Sequence, residues 1–238
     1  MNIINYKDGL KLNIDKKESY RYLGYHFGGS IPADPDIDRL VEELTEKLKA
    51  AITPRAAYES FKLKVTENIC LFFPDNISEP GTPTVSDSLP TPDKTSDALL
   101  SIKSSRLAAH IRECRYAILF AATIGPGADM LIRRFSGRST VKPAVLQAVG
   151  AAAIEAFADE ITEKICMDII KSRSVSSSEK DTKSIIKMRF SPGYGDFSLE
   201  YQNDFFRILQ LEQKLGMSLN SALLMTPSKS ITAVIGVI

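Results

Sequence analysis

The chain carries almost no net charge: 30 lysines and arginines stand against 29 aspartates and glutamates, leaving +1 with the histidines neutral. The two signs are interspersed and no basic run rises above them, which argues against nucleic acid as the main partner. Histidine and cysteine are sparse, with only His26 and His110 of the one and Cys70, Cys114 and Cys166 of the other. An odd number of widely spaced cysteines argues against a disulfide framework, and two histidines argue against a zinc site. Buried thiols in a reducing cytoplasm are expected. The start, Met1 to Asn13, has no apolar leader, and the longest apolar-rich stretch, around Ala144 to Ala158, is broken by Gln147 and Glu155. Neither a signal peptide nor a membrane span is expected. Nucleotide fingerprints are missing too. The turn Thr123-Ile124-Gly125-Pro126-Gly127-Ala128-Asp129 lacks the Gly-Lys-Ser/Thr ending of a phosphate loop and the GxGxxG spacing. The Gly-rich loop and regular strand-helix alternation of a doubly wound methyltransferase are also absent.

What remains is an ordinary globular composition: 238 residues, 44% hydrophobic and 25% charged, enough for one large domain or two small ones. A short helix opens at Ile14 to Glu18, carries Tyr20, Tyr22 and Leu23, and ends at Gly24. Asp34 caps a second helix with Pro35 at its first position, and Ile37, Leu40, Val41, Leu44 and Leu48 give the amphipathic spacing to about Ala51. Tyr58 to Phe73 reads as one or two strands, Leu99 to Lys103 as another, and Ser105 to Glu113 as a helix. Tyr116 to Ala122 is an almost continuous apolar run, as in a strand buried on both faces. A helix follows at Asp129 to Phe135.

Lys142 to Ser172 is the longest helical pattern, with Leu146, Ile154, Phe157, Ile161, Ile165 and Ile169 in its apolar stripe. Gly150 interrupts that stripe, where it would admit a neighbouring backbone. Tyr201 to Leu215 reads as one helix capped by Gly216, and Ser230 to Ile238 as a last buried strand. The irregular alternation of helices and strands favours α+β over α/β. Between Pro74 and Ser96, Pro80, Pro83, Pro90 and Pro92 sit among Ser, Thr and Asp. This stretch is expected to be a mobile insertion at about 74–96, with a domain linker as the alternative. Ser172 to Lys183 is a polar, Ser-rich loop.

The most suggestive stretch is Lys187-Met188-Arg189-Phe190-Ser191-Pro192-Gly193-Tyr194. A period-two strand would put Ile186, Met188 and Phe190 on one face and Lys187 and Arg189 on the other. Ser191 to Tyr194 reads as a type II turn, with Pro192 presetting φ and Gly193 accepting the positive φ that follows. A guanidinium, exposed turn backbone and a phenol together suit a carboxylate, a purine edge and a cation. A strand ending in an ordinary turn with a solvated Arg is the other reading. Glu155 lies beside the stripe of the long helix among Ala151, Ala152, Ala158 and Asp159, where its carboxylate suits an ammonium or a hydroxyl. It also fits an ordinary helix boundary.

In order and spacing these segments resemble the activation (reactivation) domain of vitamin B12-dependent methionine synthase. The matching pieces are Arg21-Tyr22-Leu23-Gly24, Pro54-Arg55-Ala56-Ala57-Tyr58, Thr123-Ile124-Gly125, Glu155-Ala156-Phe157-Ala158, Arg189-Phe190-Ser191-Pro192-Gly193-Tyr194 and Met225-Thr226-Pro227-Ser228-Lys229-Ser230-Ile231. The resemblance implies an α+β fold: a single helmet-like (C-shaped) domain over 1–238 with a bent, mainly antiparallel sheet and several helices. It implies S-adenosylmethionine as the cofactor, with Arg189 on its carboxylate, the Ser191 backbone, Gly193 and Tyr194 around it, and Glu155 on its ammonium or ribose. It further implies that inactive cob(II)alamin is reduced by a flavodoxin- or ferredoxin-like donor and trapped as methylcobalamin. Alignment and exclusion of water would be the protein's share, with no catalytic acid, base or nucleophile.

The sequence departs from the pattern in places. Gly195-Asp196-Phe197-Ser198 stands where fused enzymes commonly have Pro-Ala-Cys-Pro, and the N-terminal aspartate of those enzymes has no clear counterpart, Asp15 being a guess. Fused enzymes also continue beyond the position of Ile238 with a Tyr-bearing segment, so weaker binding or a partner-completed site is expected. No cobalamin-binding Asp-x-His-x-x-Gly motif occurs, so a separate cobalamin-binding methionine synthase polypeptide is the expected partner. A cofactor-free cap on a corrinoid protein, or an activator of a different corrinoid methyltransferase, remains open.

Overall fold

The computed structural model describes residues 1–5, 12–25, 34–74, 97–172 and 185–238. The Pro-rich insertion, from residue 75 on, and the Ser-rich loop at 173–184 lie outside the described residues. The elements run β1 (Asn2–Asn5), α1 (Lys16–Tyr22), α2 (Pro35–Ala51), β2 (Arg55–Val65), β3 (Ile69–Pro74), β4 (Leu100–Lys103), α3 (Ser105–Ile111), β5 (Tyr116–Thr123), α4 (Gly127–Ser136), α5 (Val141–Ser172), α6 (Gln202–Ile208), α7 (Leu211–Leu215), β6 (Ser218–Leu219), β7 (Met225–Thr226) and β8 (Ser230–Val237). The helices start where capping chemistry starts them. The side chain of Asp15 accepts the Lys17 amide at 2.8 Å and that of Asp34 accepts the Asp36 amide at 3.0 Å. Asp15 therefore works as the N-cap of α1.

The main sheet is ordered β4-β3-β2-β5-β8, with β1 added to β2, and every pairing in it is antiparallel. The fold is α+β, as the irregular element order implied. β5 is buried along its whole length because helices cover both faces of the sheet. Tyr116, Ile118, Phe120 and Ala122 face a core shared with α1, α2, α4 and α5. Ala117, Leu119 and Ala121 face a second core with α3, α6 and α7. Each large side chain fully buried in these layers stabilises the fold by about 1.5 to 3 kcal/mol before entropy is counted. By length and composition α5 is apolar enough to cross a membrane. In the fold its Leu146, Val149, Ala153, Phe157, Ile161 and Ile165 are buried in the first core, the packing of a central core helix.

Three sequence expectations are corrected. The stretch from Tyr201 to Leu215 is two helices, because Gln210 adopts a left-handed conformation at φ +50°. In one continuous helix Leu209 and Leu211 would point about 200° apart; the break lets both reach 0% exposure. Gly150 is approached by a side chain rather than a backbone: a Cβ there would lie 3.1 Å from Cε of Lys229. The third correction concerns the segment that carries Arg189.

Candidate functional site

Residues 185–190 run along the outer edge of β8 and are not a regular strand. They touch it at two antiparallel bridges, Ile186 with Val237 and Phe190 with Val234. Lys187, Met188 and Arg189 thus stand opposite only Gly236 and Ile235. One extra residue on one strand is a β-bulge, and it reverses which face each later side chain points to. Ile186 therefore packs in the first core while Phe190 packs in the second. Met188, expected on one face with both of them, is 82% exposed, and its carbonyl accepts a hydrogen bond from Nε2 of His110 at 2.8 Å.

The bulge leaves Arg189 on the α5 side of the sheet. One terminal guanidinium nitrogen donates to Oε2 of Glu155 at 2.9 Å; the other donates to Oγ1 of Thr162 at 3.1 Å and meets Oδ1 of Asp159 at 2.8 Å. Residues 155, 159 and 162 fall on one stripe of α5. Sequence reasoning named Arg189 and Glu155 and missed that they bond to each other. It also missed Asp159 and Thr162 as partners, although their spacing of four and seven residues from Glu155 was a usable signal. The Arg189 side chain is only 16% exposed, while those of Glu155 and Asp159 are 44% and 74% exposed.

The turn forms as its sequence requires. Gly193 sits at φ +96° and the Tyr194 amide donates to the Ser191 carbonyl at 3.2 Å. Phe190 anchors the turn from below, its ring stacked with that of the buried Phe197 at 6.2 Å and tilted against His110 at 5.4 Å. Tyr194 stands 67% exposed above them with its ring 6.4 Å from Phe190. Arg189 and Glu155 are thus brought together, while Ser191, Gly193 and Tyr194 form the adjacent turn.

A residue of the stretch that departs from the family's pattern fastens this turn. Asp196 accepts the Ser104 hydroxyl at 2.5 Å and the backbone amides of Ser105 at 2.7 Å and Arg106 at 3.2 Å, closing the N-terminus of α3. The Ser104 hydroxyl, helped by those amides, holds the Asp196 carboxyl below the usual carboxylate range.

Other pieces of the motif set are structural. The Thr123 hydroxyl accepts the Gly125 amide at 3.1 Å and the Ser230 hydroxyl at 2.8 Å. Ser228 donates its amide to Asp129 at 2.9 Å, and its hydroxyl bonds the same carboxylate. A Cβ on Gly125 would lie 2.3 Å from Oγ1 of Thr53, and one on Gly127 would lie 2.0 Å from the Ala51 carbonyl oxygen. These glycines let the turn pack against the end of α2, which accounts for them without a phosphate. Burial pushes the Lys229 amine down from its ordinary value, with Asp129 opposing that effect.

Residues 105–237 match the family model of the vitamin B12 dependent methionine synthase activation domain, a span holding β5, α5, the bulged segment and β8. Among solved structures, a crystal structure of the MetH reactivation domain bound to AdoHcy is similar with a TM-score of 0.70 at 15% identity, covering 99% of this chain and 78% of that chain. At that identity the likeness is one of fold. No curated protein matches the chain.

Proposed function

Because this chain belongs to the family of vitamin B12-dependent methionine synthase activation domains, we propose that it binds S-adenosylmethionine between α5 and the turn at Ser191 to Tyr194. There it would support reductive methylation of cob(II)alamin carried by a separate methionine synthase polypeptide. The observation that carries this reading is the contact of Arg189 with Glu155 beside an exposed Tyr194. The donor set suits the ligand. A guanidinium matches an amino-acid carboxylate, a half-exposed carboxylate matches an ammonium or a ribose hydroxyl, and an aromatic face matches an adenine or a sulfonium. When bound, S-adenosylmethionine supplies a methyl group already on its leaving atom to a reduced corrinoid brought by the partner.

This chain's own residues bind and align. Arg189 and Glu155 orient the amino-acid end, the Ser191 backbone and Gly193 lie along the ligand, and Tyr194 covers it from water. Asp196 and Phe190 keep the turn in register with α3 and β8. The domain takes in residues 1–238 and works in the cytoplasm with a flavodoxin- or ferredoxin-like electron donor. A second reading, a cofactor-free cap on a corrinoid protein, is favoured by one observation: the Arg189 guanidinium already has Glu155, Asp159 and Thr162 as partners.

The test is loss of the cob(II)alamin paramagnetic signal in a methionine synthase lacking its activation domain, supplied with reduced flavodoxin and S-adenosylmethionine. The proposal expects the signal to disappear only when this chain is added. Disappearance at the same rate without the chain would overturn it.

A further inference from the structure

We propose that Asp159 is a stand-in for the ligand's carboxylate, occupying the guanidinium nitrogen of Arg189 that the amino-acid carboxylate of S-adenosylmethionine takes over on binding. The inference rests on the ligand reading above and adds a residue that sets the affinity of the same site.

The three α5 partners of Arg189 are not equivalent. Thr162 is pinned: its hydroxyl donates to the Ala158 carbonyl at 2.7 Å, so the oxygen that accepts from Arg189 at 3.1 Å is held to the helix. Glu155 lies 2.9 Å from the guanidinium with its side chain 44% exposed. Asp159 lies 2.8 Å away with its side chain 74% exposed. Of the two carboxylates Asp159 is the more exposed, so it is the one that can swing into water with the least rearrangement.

Charge makes the exchange necessary. One guanidinium against Glu155 and Asp159 leaves the cluster with an excess negative charge. A third carboxylate brought to the same cation would meet repulsion from both; departure of Asp159 relieves part of it and opens that side of the guanidinium to the ligand's carboxylate. Ligands that carry the amino-acid carboxylate must displace Asp159, whereas a nucleoside without that carboxylate has no reason to.

Calorimetric titration of the full chain and of Asp159→Asn, each with S-adenosylmethionine and with 5′-methylthioadenosine, reads this directly. The aspartate-to-asparagine change is expected to tighten S-adenosylmethionine about two- to fivefold or more, at least the span of a surface ion pair, and to leave methylthioadenosine unchanged. Asp159→Ala should move the same way, which guards against an asparagine that keeps the contact. Weaker S-adenosylmethionine binding in both variants, or equal shifts for the two ligands, would overturn the displacement and leave Asp159 a structural partner of Arg189. No binding of S-adenosylmethionine by any of the three proteins would instead overturn the ligand reading itself.

Discussion

Asp196 joins the turn to α3 through a hydroxyl and two amides, so its charge matters more in the folded state than in the unfolded one. Its carboxyl is held below its ordinary range, and a carboxyl lowered on folding contributes stability that is present above its unfolded value near 3.9 and is lost as pH falls through the folded value. Asp196→Ala is therefore expected to lower the urea midpoint at pH 7, with the gap from the native chain closing as the pH drops below about 4. The thiols give a second expectation at this scale. Burial pushes Cys70 up to about 12 and Cys114 up to about 11, and it raises Cys166 as well. Alkylation of native protein should label none of the three quickly, and denaturant should expose all of them to reaction. The Pro-Gly turn was legible because its residue types dictate its backbone, and Arg189 and Glu155 could be picked out as candidates by residue type and position alone. The partners of Arg189 were not, because they depend on a bulge, and one extra residue between two bridges leaves no mark in a period-two pattern.

Among the elements, both long helices, the buried strand β5 and the last strand β8 were readable from period and capping alone. The missed pieces are those whose residues obey tertiary demands. β1 is a short edge strand, β6 and β7 form a two-residue ladder, and the break between α6 and α7 exists so that Leu209 and Leu211 can both be buried. Gln210→Gly at that break is expected to raise stability by about 0.5 to 1 kcal/mol, since glycine escapes the left-handed penalty while losing more chain entropy on folding. The same substitution at a regular helical position would destabilise, so a fall in thermal midpoint would show that the break is not strained. At the α2–α4 junction the sign reverses. Gly127→Ala would place a methyl group 2.0 Å from the Ala51 carbonyl oxygen, and a loss of about 2 kcal/mol or more is expected in urea unfolding. A neutral result would mean that α4 can slide away from α2.

Across the whole molecule, the sheet works as a frame between two cores, with α5 on one side supplying the acidic stripe and α3 on the other fixing the turn. β8 lies between them and carries the bulged segment on its outer edge, so Arg189 reaches the acidic stripe of α5 on one side while Phe190 is rooted in the second core on the other. That arrangement places a polar cluster and an exposed aromatic near each other at the edge of the sheet. The most direct measurement of the central claim is calorimetric titration of the native chain and of Arg189→Ala with S-adenosylmethionine. The account predicts saturable binding by the native chain that weakens by about 1.5 to 3 kcal/mol in the variant, the usual value of a hydrogen bond to a charged group. Equal affinities in the two proteins would contradict it by removing Arg189 from the ligand site.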